Sequence, residues 1–382
     1  MRIGQFTDTF LPIVDGVGRV VYNYADTLAK KGHEVTVFAP MGNPGHLGRY
    51  PFELCEFLSI SVPGQKRYSS GIPIADPHYD ARAARIPLDI VHAHSPFAAG
   101  QDALRLARHR GIPIIGEFHS RYYDDFYRLT RAEMLANIGV RFIVTFYEHC
   151  DEVWTVSQSS AETLADYGYH GSVRVIENGT PDVMPSEVNR TLAKTTFCLP
   201  EDHILLYCGQ IDRKKNIRCI LRACALLKRK GERFTLVLAG QGPDARALES
   251  EAEELGILEN TVFTGHITND SLLYGLYEAA DLFLFPSLYD TSGMVVREAA
   301  AMETPSVVVR GSAAAEPIID GENGYLCPDS PEGLCAVIER AFSNREENSA
   351  IGKAARKTIY TSWSSIIDKA LERYAALTES SR

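Results

Sequence analysis

The sequence predicts an α/β protein built from two doubly wound, Rossmann-like domains that face each other across a cleft. Apolar runs of strand length alternate with helix-period segments in two successive series, over residues 1–180 and 200–359. This alternation is typical of parallel sheets covered by helices. The length of 382 residues suits two domains of roughly 100–200 residues each. Because ligands of such sheets bind outside the carboxyl ends of the strands, we expect the site in the cleft between the domains.

The first series starts at the N-terminus and ends near residue 180. Its predicted strands are short apolar runs at residues 2–6, 34–39, 90–93, 113–117, 153–156 and 173–176, and its predicted helices cover residues 18–31, 101–110 and 159–167. The first helix ends in two lysines, which suit the negative end of the helix dipole, and Gly32 follows in the position where a left-handed residue closes a helix.

The second series has the same form. Its predicted strands cover residues 204–209, 234–239, 261–264, 282–285 and 306–309, and its predicted helices cover residues 216–230, 244–255, 270–280 and 293–302. Residues 178–202 are rich in turn-forming residues and show no hydrophobic period, so we interpret them as the linker.

Composition and charge exclude several classes of protein. The formal net charge of −10 argues against a protein that coats nucleic acid by charge, so we expect no nucleic-acid partner. The N-terminus lacks the apolar core of a signal peptide, and no apolar run has the length of a membrane span. The 8 cysteines form no CxxC pair, which favours buried, reduced thiols in a cytoplasmic protein.

The first strand is followed by a loop in which Gly16 and Gly18 open a helix. Glycines at a helix start let the backbone approach a phosphate, although they also serve as ordinary turn residues. A dinucleotide fingerprint would need a third glycine where Val21 stands and an acidic residue after the second strand, and both are missing. The sequence also lacks the GxxxxGK[ST] pattern of a P-loop. Nicotinamide dinucleotides and P-loop chemistry are therefore excluded.

The most informative segment covers residues 285–300, where a predicted strand ends and a helix begins. Ser292 or Thr291 suits the N-cap of that helix. The amides of Gly293 and Met294 would then be free to bind an anion such as a diphosphate, which the helix dipole also stabilises.

Two acidic residues flank this helix start. Asp290 lies beside the predicted anion site, where it would need a cationic or hydroxylated partner, and Glu298 is placed to accept hydrogen bonds from a ribose. In the alternative interpretation Asp290 is a turn residue and Glu298 a solvated helix position. The residues alone leave both interpretations open.

A set of motifs in a fixed order extends over nearly the whole chain. The motifs are Pro12-Ile13 with Gly16-Val17, Gly32-His33-Glu34-Val35, Asp89-Ile90-Val91-His92 with His94, Asn178-Gly179, Pro286-Ser287 with Asp290, Gly293, Glu298 and Ala299, Thr304-Pro305-Ser306-Val307, and Glu316 with Asp320-Gly321. This pattern resembles the retaining GT-B glycosyltransferases of family 4, including glycolipid-forming members such as diacylglycerol glucosyltransferases. The resemblance implies that residues 1–180 bind the acceptor and residues 200–359 bind the nucleotide-sugar donor.

The resemblance also implies roles for residues in the donor domain. Lys215 would hold the donor diphosphate. Gln210 stands where the family usually has an arginine, so one diphosphate cation is either missing or supplied by Arg213, Lys214 or Arg19. Asp290 stands where the family usually has a glutamate and is one methylene shorter.

Three further positions match motifs of the family. Gly265 and His266 match the loop that contacts the base through its backbone, and Glu298 matches the acid that binds the ribose. His119 matches the histidine of the first domain that faces the donor sugar. We therefore expect Lys215, Asp290 and His119 to carry the catalysis, with Asp290 positioning sugar hydroxyls.

The implied reaction moves a hexose from a nucleoside diphosphate to a hydroxyl group with retention at the anomeric carbon. A UDP-sugar is the favoured donor, and a GDP-sugar remains an alternative. The sequence contains no DxD triplet to mount a divalent ion. We therefore expect transfer without a metal ion or another cofactor. Two other classes bind the same donor: sugar-nucleotide 2-epimerases, and non-catalytic proteins that have lost the transfer activity.

The acceptor has two candidate classes. Residues 103–141 hold seven basic residues (105, 108, 110, 121, 128, 131 and 141), four acidic ones (117, 124, 125 and 133) and interleaved aromatics, and the segment from His119 resembles the HTxYxDY stretch of glycolipid-forming members. Such a stretch predicts contact with the anionic inner face of a membrane and a lipid acceptor. In the alternative it is an ordinary solvated surface, and the acceptor is a soluble saccharide or small molecule.

The end of the chain resembles the tail that crosses back onto the first domain in this family. Residues 360–382 would pack on the first domain, with Trp363 as the anchor of the crossover.

Overall fold

Two parallel sheets organise the protein in the computed structural model, which describes residues 1–11, 16–41, 49–61 and 69–380. Contacts divide the chain into a first unit, Met1–Asn178 with Trp363–Arg382, and a second unit, Gly179–Ser362. The two sheets confirm the predicted pair of doubly wound α/β domains. Their central strands are buried on both faces, which explains why these strands read as continuous apolar runs in the sequence.

The sheet of the first unit has seven parallel strands. In chain order the strands of this unit are β1 (Arg2–Phe6), β2 (Glu34–Pro40), β3 (Glu53–Phe57), β4 (Ser59–Ser61), β5 (Ser69–Gly71), β6 (Ile90–Ala93), β7 (Ile114–Phe118), β8 (Glu152–Thr155) and β9 (Val173–Val175). The spatial order is β3-β2-β1-β6-β7-β8-β9, and β4 and β5 form a separate antiparallel hairpin. The direction of winding therefore reverses between β1 and β6.

Helices cover this sheet. They are α1 (Gly16–Lys30), α2 (Pro77–Arg85), α3 (Ala98–Arg110), α4 (Tyr122–Thr130), α5 (Glu133–Tyr147) and α6 (Gln158–Asp166). Gly32 follows α1 with φ +85°, as predicted for a residue that closes a helix. The hairpin and the helices α2, α4 and α5 had no counterpart in the sequence prediction.

The second unit has a six-stranded parallel sheet. Its strands are β10 (His203–Cys208), β11 (Phe234–Ala239), β12 (Thr261–Gly265), β13 (Leu282–Phe285), β14 (Ser306–Val309) and β15 (Tyr325–Cys327), in the spatial order β12-β11-β10-β13-β14-β15. Its helices are α7 (Glu187–Thr196), α8 (Ile217–Arg229), α9 (Ala245–Glu254), α10 (Asp270–Ala279), α11 (Met294–Ala301), α12 (Pro331–Phe342) and α13 (Arg345–Thr358). The winding reverses between β10 and β13.

The last helix, α14 (Trp363–Ser380), belongs to the first unit. Trp363 is buried and meets the ring of Tyr24 edge to face, with 5.7 Å between the ring centroids. Tyr374 is fully buried and stacks on Trp154 at 5.7 Å. Through these contacts α14 packs on the first unit, with Trp363 against Tyr24.

Residues 178–202, interpreted as the linker, contain a helix, α7, that the sequence interpretation did not predict. Of its residues, this helix buries only Ala193. It is held by α10. A Cβ on Gly275 of that helix would lie 2.1 Å from the Asn189 carbonyl oxygen, so glycine is required for this close approach.

The cysteines form no disulfide, and all eight are free thiols. Five are buried, Cys150 and Cys208 are half-buried, and Cys198 is exposed, so the expectation of buried thiols holds for most of them. Across the part of the chain that the structure describes, no helix combines the length and apolarity that crossing a membrane requires.

Candidate functional site

Lys215 and Asp290 meet at the point where the winding of the second sheet reverses. Lys215 ends a short 3₁₀ turn, Arg213–Lys215, in the loop after β10, and Asp290 lies in the loop after β13. The two strands are parallel neighbours, so their carboxyl ends share one edge of the sheet. This edge, at the reversal point, is where ligands of doubly wound sheets bind.

The two side chains form an ion pair. The Lys215 ammonium donates to Asp290 Oδ2 at 2.9 Å, and the side chains are 21% and 17% exposed. Burial disfavours the charged carboxylate, but the Lys215 charge and the amide hydrogen bonds to the carboxylate outweigh it and lower the pKa of Asp290. Asp290 is therefore a fixed negative charge that holds the lysine in place.

The start of α11 differs from the prediction. Its N-cap is Gly293, in the left-handed region at φ +56°, so the expectation of Ser292 or Thr291 was wrong. The reason is that Asp290 Oδ1 accepts hydrogen bonds from the backbone amides of Ser292 at 3.1 Å and Gly293 at 2.8 Å. The amide of Met294 opens the first turn, where amides have no partner within the helix.

Glu298 is buried in α11, with only 7% of its surface exposed. Its Oε2 accepts a hydrogen bond from the hydroxyl of Tyr277 at 3.0 Å. The interpretation of Glu298 as a solvated helix position was therefore wrong. A buried carboxylate requires hydrogen-bond donors, and Tyr277 supplies one of them.

The loop that carries Gln210 is joined to its neighbours by backbone hydrogen bonds. The amide of Gly209 donates to the Ala239 carbonyl at 2.9 Å, and the amide of Gly240 donates to the Gly265 carbonyl at 2.9 Å. A Cβ on Gly240 would lie 1.8 Å from the Gly209 carbonyl oxygen, so only glycine fits there. The sequence interpretation missed Gly240, although its place directly after a buried strand was a usable signal.

The remaining predicted residues of the second unit lie around this edge. Gly265 ends β12 with φ +69°, and His266 follows it with an exposed side chain. Arg213 is exposed and lines a pocket of about 360 Å³ together with Arg218, Arg222 and Asp329. The structure records no contact of Arg213 with the Lys215–Asp290 pair among the described residues.

In the first unit the winding reverses between β1 and β6. Gly16 and Gly18 lie in the first turn of α1, which follows β1 in the chain, with Gly18 buried. The rest of the predicted phosphate-binding loop, residues 12–15, which includes Pro12 and Ile13 of the family motif, lies outside the described residues.

His119 follows β7 and is 6% exposed. Its Nε2 lies 3.2 Å from Glu117 Oε2 and 3.2 Å from His94 Nδ1. His92 completes this buried cluster, with Nε2 3.4 Å from Glu117 Oε2. The sequence interpretation did not predict that Glu117 joins these histidines. The sequence did hold a signal, because an HxH motif ends one predicted buried strand and an ExH motif ends another.

Both parts of the chain match known families. Residues 193–358 match Glycosyl transferases group 1, and residues 14–182 match Glycosyltransferase Family 4. The Alpha-monoglucosyldiacylglycerol synthase of Streptococcus pneumoniae is 29% identical over 368 residues, which cover 91% of this chain and 80% of that protein.

Solved structures share the fold. Sucrose-phosphate synthase from Thermosynechococcus elongatus superposes with a TM-score of 0.82 at 21% identity, covering 99% of both chains. Anabaena HepE, solved in complex with UDP-glucose, gives a TM-score of 0.79 at 17% identity and covers 99% of this chain and 100% of its own. The two family matches and the two-sheet architecture show that this chain is a group 1 glycosyltransferase of the GT-B fold whose N-terminal part belongs to Glycosyltransferase Family 4.

Proposed function

We propose that the protein is a retaining glycosyltransferase that moves a hexose from a UDP-sugar to a hydroxyl group of a membrane lipid, without a metal ion on the diphosphate. The observation that carries this proposal is the Lys215–Asp290 pair beside the first turn of α11, at the edge where the second sheet reverses its winding.

Charge is the main demand of this reaction. When the bond to the anomeric carbon breaks, the nucleoside diphosphate leaves with about two negative charges, and fixed positive groups lower that barrier most. The Lys215 ammonium and the Met294 amide supply positive charge at one edge of the sheet. Asp290 keeps Lys215 in position before the donor arrives, and its carboxylate is suited to accept hydrogen bonds from sugar hydroxyls.

Retention follows from front-face attack. The acceptor hydroxyl approaches the face that the diphosphate leaves, and the departing phosphate oxygen takes the proton of that hydroxyl. This route needs no dedicated protein base. Glu298 is assigned to the ribose, the backbone of Gly265 and His266 to the base, and His119 to the donor sugar.

The donor assignment rests on the fold neighbour that binds UDP-glucose, and a GDP-sugar is the alternative. Thermal shift with UDP-, GDP- and ADP-hexoses tests it, because a ligand that binds the folded state raises the melting temperature with its concentration. We expect the largest shift with a UDP-hexose. A larger shift with a GDP-hexose would overturn the choice of base.

The lipid acceptor is favoured by an apolar face on the first unit. It consists of Leu129 of α4 and Met134, Leu135, Ile138 and Phe142 of α5, of which Leu129 and Met134 are each 71% exposed and Ile138 is 57% exposed. The opposite side of α5 is buried in the core. Soluble monomers rarely expose contiguous apolar surface of this kind, and it often marks a membrane or partner contact.

Basic residues border this apolar face. Arg128, Arg131 and Arg141 are all exposed on α4, its end and α5. A helix pair with apolar side chains between arginines suits the surface of an anionic bilayer, where apolar burial and charge attraction add. The S. pneumoniae relative is named for a product made on diacylglycerol, which agrees with a lipid acceptor.

Vesicle co-sedimentation tests the membrane contact. We expect binding to phosphatidylglycerol vesicles that weakens with salt and is reduced in Ile138→Asp. Val188→Asp is the matched control, because Val188 is an exposed apolar residue of α7 in the second unit. A wild-type protein that fails to pellet with anionic vesicles would favour the soluble acceptor.

Transfer assays test the class of enzyme. We expect slow release of UDP from the donor alone, faster release with a lipid acceptor, and equal rates with and without added Mg²⁺ or Mn²⁺. An epimerised sugar product would indicate a 2-epimerase, and donor binding without turnover would indicate a non-catalytic protein. Wild-type rates in both His119→Ala and Lys215→Ala would refute the residue assignment.

A further inference from the structure

We propose that His92, His94 and Glu117 form a binding site for one transition-metal ion of the zinc class in the first unit, with His119 at its fourth position. The three residues lie at the carboxyl ends of β6 and β7, next to the point where the first sheet reverses its winding. These residues belong to the first unit, whereas the donor-diphosphate residues proposed above belong to the second.

The ligand atoms have the spacing of a coordination shell. His92 Nε2, His94 Nδ1 and a Glu117 oxygen all lie within 4.8 Å of one another. Glu117 Oε2 is 3.4 Å from His92 Nε2 and 2.8 Å from His94 Nδ1. Ligands about 2.0–2.1 Å from a tetrahedral Zn²⁺ lie about 3.3 Å apart, so an ion fits between these atoms with small side-chain shifts.

A fourth ligand lies next to these three. His119 Nε2 is 3.2 Å from both Glu117 Oε2 and His94 Nδ1. The side chains of His92, His94 and Glu117 are fully buried, whereas that of His119 is 4% exposed. His119 is therefore the side by which an ion would enter.

The hydrogen-bond roles around His94 bring two acceptor atoms together inside the cluster. His94 Nε2 lies 2.5 Å from Gln5 Oε1, which only accepts, so this nitrogen carries the proton. In the neutral ring Nδ1 then has a lone pair, yet it faces a carboxylate oxygen at 2.8 Å. Two acceptors at this distance repel each other unless a proton or a metal ion lies between them.

Unpartnered atoms point into the same space. Among the buried side-chain atoms of the described residues, His92 Nε2 and both oxygens of Glu117 make no hydrogen bond of good geometry, although ring nitrogens lie within 3.4 Å of Oε2. Buried polar atoms without a partner are rare because they forfeit their hydration. A metal ion would satisfy His92 Nε2 and at least one carboxylate oxygen at once.

Two further residues fix the orientation of the ligand rings. The His94 Nε2 proton is held by Gln5, and His92 Nδ1 lies 2.7 Å from the Tyr374 hydroxyl, which can accept its proton. Metal-binding histidines almost always donate their second ring N–H to such a partner, which sets the tautomer and the orientation of the ring. Imidazole and carboxylate ligands without a thiolate suit Zn²⁺ among the abundant ions.

Such an ion would also act on His119. With Nε2 bound to the metal, Nδ1 keeps its proton and becomes a fixed donor that faces away from the cluster. The ion would join the ends of β6 and β7 and hold this histidine in a single orientation.

The test is the metal content of the full chain, expressed in zinc-supplemented medium and measured by mass spectrometry after gel filtration. We expect about one ion per chain, as a single site of this kind would hold. The metal content of His94→Gln should be at least about tenfold lower. Gln5→Leu should weaken metal affinity by about 10–100-fold, because Gln5 holds the ring of His94. His109→Gln is the matched control, because His109 is an exposed histidine of α3 outside the cluster.

The ligand type is read from the cobalt form. Wild-type protein grown with Co²⁺ should show the visible bands of four-coordinate cobalt without a thiolate charge-transfer band, which distinguishes this site from the eight free cysteines. A wild-type protein that is metal-free after zinc-supplemented growth overturns the proposal, as does a thiolate band. Wild-type metal content in a folded His94→Gln variant also overturns it. These wild-type measurements decide the question even where a variant fails to fold, and a metal-free result leaves the proposed transfer activity untouched.

Discussion

Replacing Lys215 by methionine removes the ammonium group while it keeps most of the side-chain volume. In the intact protein the ammonium lies 2.9 Å from Asp290 Oδ2, and both side chains are mostly buried. At this distance and an effective dielectric constant of about 20, the Coulomb attraction is about 6 kcal/mol, before the cost of desolvating both charges is subtracted.

The net loss of stability is smaller than that attraction. In Lys215→Met the Asp290 carboxylate keeps its two amide hydrogen bonds, at 2.8 and 3.1 Å, so its charge is not left without partners. We expect a loss of about 1–3 kcal/mol, close to the worth of one hydrogen bond to a charged group. For a unit the size of Gly179–Ser362 this lowers the melting temperature by about 2–12 °C.

The loss of activity should be larger, because Lys215 also faces the charge that develops on the departing diphosphate. We expect the kcat for transfer to fall by about 10²–10³-fold, as for removal of one preorganised donor in other enzymes. Steady-state assays well below the melting temperature of the variant measure this. Lys353→Met, at an exposed lysine of α13, is the control for the loss of a positive charge and should leave both quantities unchanged.

Two results would refute the reasoning. Wild-type kcat and KM in a folded Lys215→Met variant would remove the lysine from the site. A strong loss of kcat in Lys214→Met with little change in Lys215→Met would assign the role to Lys214. The ammonium of Lys214 lies 4.0 Å from the Tyr289 ring centroid. A double-mutant cycle with Asp290→Asn then separates the pairing energy from the effect on catalysis.

Three further predictions concern the same edge of the second sheet. In Gly293→Ala an alanine would have to adopt φ +56°, and its Cβ would lie 3.2 Å from the Cα of Ala314. We expect thermal melting to show a loss of stability of about 1–2 kcal/mol. An unchanged melting temperature would contradict this prediction. The folded-state pKa of Asp290 lies below its ordinary value, so its stabilisation is present above about pH 4 and is lost as the pH falls through that pKa. Between about pH 7 and pH 3 the urea midpoint should therefore fall more in the wild type than in Asp290→Asn. An equal fall in the two proteins would contradict this prediction. Glu298→Gln removes a buried charge that Tyr277 holds, and we expect the donor KM to rise about 10–100-fold with a smaller change in kcat; an unchanged KM would separate Glu298 from the donor.

The sequence predicted the central strands best. The bounds of β1, β6, β11, β13 and β14 agree with the prediction, because a strand buried on both faces is an apolar run with sharp ends. The strand β3 was missed, since its residues alternate in burial at the edge of the sheet. Helix α7 was missed because it lies in a segment rich in turn-forming residues, which favoured a linker there.

The sequence predicted the individual residues of the site better than their arrangement in space. The sequence indicated Lys215 and Asp290 separately, whereas their pairing depends on β10 and β13 being neighbours in the sheet. The N-cap at Gly293 depends on Asp290 taking two backbone amides, which local cap preferences do not reveal. The cluster around Glu117 depends on the register between β6 and β7, which pairs His92 with Ile115.

The insertion of the second unit between the two segments of the first has a consequence for synthesis on the ribosome. Residues 179–362 are contiguous, so the second unit has its whole chain available before α14 has been made. Synthesis of the first unit begins earlier but ends later. Trp363 and Tyr374, the ring partners of Tyr24 and Trp154, are made only with the last helix. The half of the protein that is translated first is therefore completed last, and during that interval Tyr24 and Trp154 lack these two ring partners.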